Sequence, residues 1–147
     1  MISNLSDLSK QITKKLQTNK LQNLNNLLHT YSGTDWKQFI HENKKKYHKK
    51  LIFQNKLMDI YIITWSQNQE SPIHNHAKGG CLHKILQGEL IEDLYDHELN
   101  KIHETKLKTN QIHYIDDTIG FHKIKNNQKQ SVSLHIYSPS KFKTNYY

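Results

Sequence analysis

Apolar positions change their period once along this chain, near residue 50. Before that point Leu5, Leu8, Ile12 and Leu16 recur at three and four, and Leu21, Leu24, Leu27 and Leu28 continue the stripe. Such spacing predicts helix from residue 1 to about residue 30. Ser3 or Ser6 is placed to cap it, and Asn25, Asn26 and the pair Ser32–Gly33 end it. Thr34 then reads as the N-cap of a second helix from Asp35 to about Asn43, with Trp36, Phe39 and Ile40 facing inward. Beyond Lys50 the period is that of strands: residues 51–53, 57–65, 82–86, 90–95, 102–107, 112–115, 120–124 and 132–137. Turn signals at Gln54-Asn55, Asn68, Gly79-Gly80, Gly88, Asn100, Asn110, Asp116-Asp117 and Asn126-Asn127 separate them. Short strands after helices predict a mainly β antiparallel barrel or two-sheet jelly roll under a helical N-terminal cover. We expect one domain over residues 1–147: cover 1–45, barrel 46–139 and a short, loosely held tail 140–147.

Length and composition narrow the class. A chain of 147 residues is long enough for a sizeable core although only 35% of it is apolar. No apolar run reaches the roughly 18 residues of a membrane helix, and polar residues interrupt the N-terminal leucines as no secretory leader would allow. The reading is therefore cytoplasmic, with no membrane partner. Cys81 is the single cysteine, so no internal disulfide forms and the thiol stays reduced. Net charge is +8, yet all 21 basic residues are lysine. Readers of base edges and phosphates lean on arginine forks, so Lys44, Lys45, Lys46, Lys49 and Lys50 read first as a solvated face.

The chemistry concentrates between Ser71 and Tyr95. His74 and His76 alternate on an extended segment, so both imidazoles leave one face. Neutral imidazole suits zinc, copper, iron and nickel, so the pair points to a metal without naming it. Further along, Gly120 precedes His122, and Ser133, His135 and Tyr137 alternate on one strand face. His83 shares strand parity with Cys81 and could enter the interior; we read it as core or as a neighbour of the ligands. His29, His41, His48, His97, His103 and His113 read as structural.

The run His74-Asn75-His76, Cys81 and Gly88 resembles the first metal-binding motif of the cupin barrels, with cysteine in place of the glutamate. Adding Leu86-Gln87-Gly88, the segment from Ile115 to His122, and the segment from Ser133 to Pro139, the ordered pattern resembles the cysteine dioxygenases over roughly residues 34–139. That resemblance implies one Fe(2+) per chain on His74, His76 and His122, with no organic cofactor. It pairs Cys81 with Tyr137 in a thioether crosslink, and gives Ser133 and His135 the task of holding the tyrosine hydroxyl. Tyr47 matches a tyrosine of the substrate pocket, and Lys49 falls where the family has a carboxylate-binding arginine. Three neutral imidazoles leave the 2+ charge uncompensated and open positions for a small thiol and O2. The implied reaction is oxidation of the thiol of L-cysteine to cysteine sulfinic acid by a monomeric oxidoreductase. Two departures matter. A lysine lacks the planar fork of arginine, which keeps 3-mercaptopropionate or another small thiol as an alternative substrate. The residues after Pro139 are too few for the family's further hairpin, so a pocket that is more open, or closed by a partner, is expected. A non-catalytic cupin or a basic nucleic-acid-binding module is the alternative of a different class.

Overall fold

The computed structural model describes residues 1–147. The predicted long N-terminal helix is broken into α1 (Leu5–Leu16), a 3-10 turn at Leu21–Asn23 and α2 (Asn25–His29). The cause lies in the leucine phase. Ile12 and Leu21 are nine residues apart, which in one continuous helix would set them about 180° apart. Breaking at Gln17–Lys20 rephases the stripe, so Leu5, Leu8, Ile12, Leu21, Leu24 and Leu28 are all buried in one cluster. The cap is Asn4 rather than either serine: its Oδ1 accepts the Asp7 amide at 2.8 Å. The second predicted helix shrinks to a 3-10 turn, Asp35–Phe39, and Thr34 makes no side-chain cap. Asp35 is instead drawn away, its carboxylate accepting from the Leu5 amide at 2.8 Å and the Tyr31 hydroxyl at 2.6 Å. Those bonds tie the turn to the start of α1.

Eight strands follow, all where the period-2 pattern places them: β1 (His48–Gln54), β2 (Asp59–Ser66), β3 (Cys81–Gln87), β4 (Glu89–Tyr95), β5 (Lys101–Lys108), β6 (Ile112–Ile115), β7 (Phe121–Lys125) and β8 (Gln130–Tyr137). They form two antiparallel sheets in the order β1-β2-β8-β3-β6 and β5-β4-β7. The architecture is thus the two-sheet, jelly-roll form of the expectation and not a closed barrel. Gly88 alone joins β3 to β4 at φ +78°, where a side chain would strike Ser131.

Strand parity divides the molecule into two cores. Ile60, Ile62, Leu82, Leu134 and Ile136 pack with the helices on the outer face of the large sheet. Ile63, Trp65 and Ile85 meet Leu90, Leu107 and Ile124 of the small sheet. Alternation then obliges Cys81, His83, Ser133, His135 and Tyr137 to face the space between the sheets. Lys84, on the outer parity of β3, spends its ammonium on the carbonyls of Tyr31 at 2.7 Å and Leu28 at 3.3 Å.

Candidate metal centre

His74 and His76 lie on the long connection between β2 and β3, not on a regular strand as expected. Only His74 is held in extended pairing: its amide donates to His122 at 3.0 Å, and the His122 amide returns the bond at 3.3 Å. That bridge sets the two rings side by side. His76 is fixed separately, its amide donating to Asp117 Oδ1 at 2.7 Å. The three ring centroids are 4.4 to 5.4 Å apart. A three-histidine cluster with convergent donor atoms is the result.

The protonation pattern follows from the partners. His74 Nδ1 faces the Pro72 carbonyl at 2.8 Å, His76 Nδ1 faces Asp117 Oδ1 at 3.2 Å, and His122 Nδ1 faces Glu92 Oε2 at 2.8 Å. Each partner is an oxygen acceptor, so each Nδ1 carries the proton and each Nε2 presents a lone pair. His122 Nε2 and His74 Nε2 stand 3.0 Å apart, and His76 Nε2 is buried with no partner. Three lone pairs directed at a common point repel one another unless a cation lies between them. This donor set therefore fits a metal ion, and one of the imidazole-accepting group. Burial keeps the rings neutral, pushing His74 down to about 4, His76 down to about 2 and His122 well below its usual value.

Glu92 is the residue that sequence reasoning missed. It stands on β4 between Leu90 and the β7 neighbour Ile124, buried to 3% exposure. Its other oxygen takes the Nε2 of His113 at 3.0 Å, so a histidine read as merely structural closes the far side of the carboxylate. Burial pushes the carboxyl up, but the His113 bond and the surrounding imidazoles outweigh it and hold the group below its usual range. A lone acid on the apolar parity of a strand was the available signal. Asp117, in the turn before β7, had none beyond its turn-forming type.

The remaining predicted residues line the same space. Cys81 and Tyr137 are cross-strand partners of β3 and β8. Ser133 Oγ lies 2.7 Å from His135 Nε2 and accepts the indole N–H of Trp65 at 3.0 Å. The Trp65 donor leaves the serine hydrogen for His135, whose Nδ1–H then points at the Cys81 sulfur, 3.7 Å away. His135 thus addresses the sulfur and not the tyrosine hydroxyl, which corrects the arrangement expected for Ser133 and His135. Trp65 was also not anticipated; it carries Tyr47 on its ring, stacked at 4.6 Å. Lys49 as a residue is exposed, but its Nζ sits over the rings of Tyr61 at 4.3 Å and Tyr137 at 4.7 Å, and desolvation of the ammonium there lowers its pKa. Burial raises Cys81 to about 12 and Tyr137 well above the usual phenol, keeping both protonated. A pocket lined by Tyr47, Lys49, His135 and Tyr137 opens beside two of the three imidazoles, those of His74 and His122.

Nor does the chain after Pro139 hang free. Asn75 donates to Asn145 at 3.2 Å, Tyr147 to Ile73 at 2.9 Å, and Asn145 to the Asn75 side chain at 2.7 Å. Thr144 and Tyr146 consequently form one wall of the pocket. The expectation of a loosely held tail is corrected by this pairing with the histidine-bearing loop.

Fold and site together define a double-stranded β-helix of the cupin class built around convergent histidines. Solved structures agree on the fold: a Klebsiella pneumoniae protein with a double-stranded β-helix domain matches with a TM-score of 0.65 at 13% identity, covering 75% of this chain and 86% of that one. A cupin superfamily protein from Desulfitobacterium hafniense matches with a TM-score of 0.57 at 16% identity, over 69% of this chain and 84% of that one. Sequence goes further. The model of the family "cysteine dioxygenase type I" matches residues 2–147, and the chain belongs to that family. Cysteine dioxygenase type 1 of Danio rerio is 31% identical over 92% of this chain and 74% of its own length. The Homo sapiens protein of the same name is 35% identical over 72% of this chain, and the match spans 58% of its length. No helix here is long and apolar enough to cross a membrane.

Proposed function

We propose that this chain is an iron(II)-dependent dioxygenase that converts the thiol of L-cysteine and O2 into cysteine sulfinic acid. Family membership and the names of its relatives support the dioxygenase activity. The observation that carries the metal assignment is the convergence of three Nε2 lone pairs, each fixed by an oxygen on the opposite ring nitrogen, and the resemblance to the cysteine dioxygenases supports iron as the ion. His74, His76 and His122 would hold the ion. When bound, iron(II) supplies the electron-transfer chemistry that lets O2 react with a thiolate. Both oxygen atoms end on sulfur, so the thiol becomes a sulfinic acid with no other reductant consumed.

The chain's own residues then have separate tasks. Lys49, held over two aromatic rings at the pocket wall, pairs with the substrate carboxylate. Tyr137 stays protonated and donates its hydroxyl toward charge developing on oxygen. Trp65, Ser133 and His135 form a donor chain that ends at Cys81 and holds that sulfur beside Tyr137. Loss of one hydrogen from the thiol and one from the phenol ring, with O2 as oxidant, would join the two side chains by a thioether. Thr144 and Tyr146 restrict water. A monomeric, cytoplasmic protein completes this reading.

A second reading keeps the chemistry and changes the substrate to 3-mercaptopropionate. It is favoured by Lys49 itself, a single ammonium without the bidentate fork that would orient an amino acid carboxylate. The test is aerobic turnover of iron-loaded protein with a panel of thiols, following O2 uptake and product mass. A cysteine product heavier by two oxygen atoms is expected, with Tyr137→Phe retaining iron and losing most turnover. No thiol-dependent O2 uptake by fully iron-loaded protein would refute the proposal.

A further inference from the structure

One imidazole between the sheets has no hydrogen-bond partner. His83 is 1% exposed, and neither Nδ1 nor Nε2 meets a donor or acceptor. An unsatisfied buried nitrogen costs about 1–3 kcal/mol, so a ring with two of them calls for a ligand. Its neighbours supply the rest of a site. Cys81, at 1% exposure, and His135, at 3%, bring donor atoms to within 4.8 Å of one another and of His83.

We propose that Cys81, His83 and His135 form a second metal site, distinct from the three-histidine centre, that takes one soft monovalent cation, copper(I). The geometry suits it. Sulfur and nitrogen bonds of about 2.3 and 2.0 Å span the 3.7 Å between Cys81 Sγ and His135 Nδ1 at an angle of about 120°. The rings of His83 and His135 run nearly parallel, 16° apart with centroids 5.0 Å apart, so one of them turns to complete the set. His83, with no hydrogen bond to break, is the ring free to do so.

Charge selects the ion. One thiolate and two neutral imidazoles cancel a single positive charge, whereas a divalent ion would leave a net charge between the sheets, near the Lys49 ammonium. Thiolate softness points the same way. Binding releases one proton, that of the thiol, as the S–H bond gives way to a sulfur–metal bond. The proton on His135 moves only from Nδ1 to Nε2, where Ser133 Oγ accepts it beside the Trp65 donor. Copper enters already reduced and no electron is transferred. Sulfur so engaged is withheld from Tyr137, so the site exists in chains whose thiol is still free.

The test uses the iron-free, anaerobically purified 147-residue chain that has not turned over, titrated with copper(I) against a chromophoric chelator. At least one copper(I) per chain should be withdrawn, with thiolate charge-transfer absorption in the ultraviolet. His76→Ala, which dismantles the three-histidine centre and any copper(I) its imidazoles take, should still bind one copper(I) per chain with that absorption. His83→Leu and His83→Gln should bind at least tenfold more weakly while still loading iron(II), which shows that they fold. Undiminished copper binding in either His83 variant, or loss of it in His76→Ala, would overturn the proposal. Failure of the iron-dependent reaction would not, because this site shares no ligand with it.

Discussion

Glu92→Gln is the substitution that asks most of the metal-centre geometry. The carboxylate fixes the tautomer of His122 through one oxygen at 2.8 Å and holds His113 through the other at 3.0 Å. A glutamine amide of the same shape keeps one acceptor and turns an N–H toward the second ring. One of the two histidines must then reverse its tautomer or lose its bond. A hydrogen bond to a charged group is worth about 1.5–3 kcal/mol, and each 1.4 kcal/mol is tenfold in affinity. The loss predicted for iron(II) is therefore about 10- to 100-fold, the range found when the outer partner of a metal-bound histidine is removed. The assay is anaerobic competition for iron(II) against a chelator of known affinity, with circular dichroism to confirm the fold. His113→Ala provides the graded control, because it removes the outer contact alone and should cost less. If Glu92→Gln binds iron(II) as tightly as wild type while His76→Ala does not bind it, the argument from tautomers is wrong.

Three further outcomes follow from the same geometry. Lys49→Met should raise the KM for L-cysteine at least tenfold and Lys49→Arg should lower it; equal KM values in all three proteins would remove Lys49 from substrate binding. Metal-free protein should lose stability as pH falls, because burial holds His74 at about 4, below its unfolded value near 6.5. The unfolded chain takes up the proton first, so stability present above about pH 6.5 declines toward pH 4, by roughly 2 kcal/mol at pH 5 for this one residue; urea midpoints of wild type and His74→Ala at pH 7 and 5 check the slope. Gly88→Ala forces a side chain into φ +78° against Ser131, and should lower the urea midpoint by a destabilisation of about 1–3 kcal/mol.

The strands were legible chiefly from short apolar runs between turn signals. Strict alternation survives on β8, where Val132, Leu134 and Ile136 share one parity and Ser133, His135 and Tyr137 the other, whereas β2 is apolar on both parities because both of its faces are buried. The helical cover was less so. Its leucines advertise a single helix, and only the phase between Ile12 and Leu21 shows that one helix would divide them. Among chemical residues, His74, His76, His122, Cys81 and Tyr137 were visible as an ordered pattern. Glu92, Asp117 and Trp65 were not, since their roles depend on which strand or turn ends up beside which. Glu92 meets His122 only because β4 pairs with β7 in a register that sets Leu94 against His122 and brings Glu92 alongside. The tail misled for a related reason: nothing in residues 140–147 announces that Asn145 and Tyr147 would pair with the loop bearing His74 and His76.

The centre is held in place largely by residues that take no part in it. On β8, Val132, Leu134 and Ile136 are fully buried against the helices, and Ser133, His135 and Tyr137 alternate with them toward the other sheet. Slipping that strand by one position would exchange the two sets, driving Leu134 and Ile136 into a polar pocket and His135 under the helices. Each of the three apolar side chains contributes about 1.5–3 kcal/mol by burial, so the wrong register loses several kcal/mol before any polar group is counted. The same holds on β3, where Leu82 is buried on the helical side and Cys81 and His83 on the other. Polar side chains that would be costly to bury in isolation are therefore positioned by the apolar face behind them. The inner face can consequently carry unpaired nitrogens and a free thiol, the groups a metal site requires, without giving up the fold that orients them.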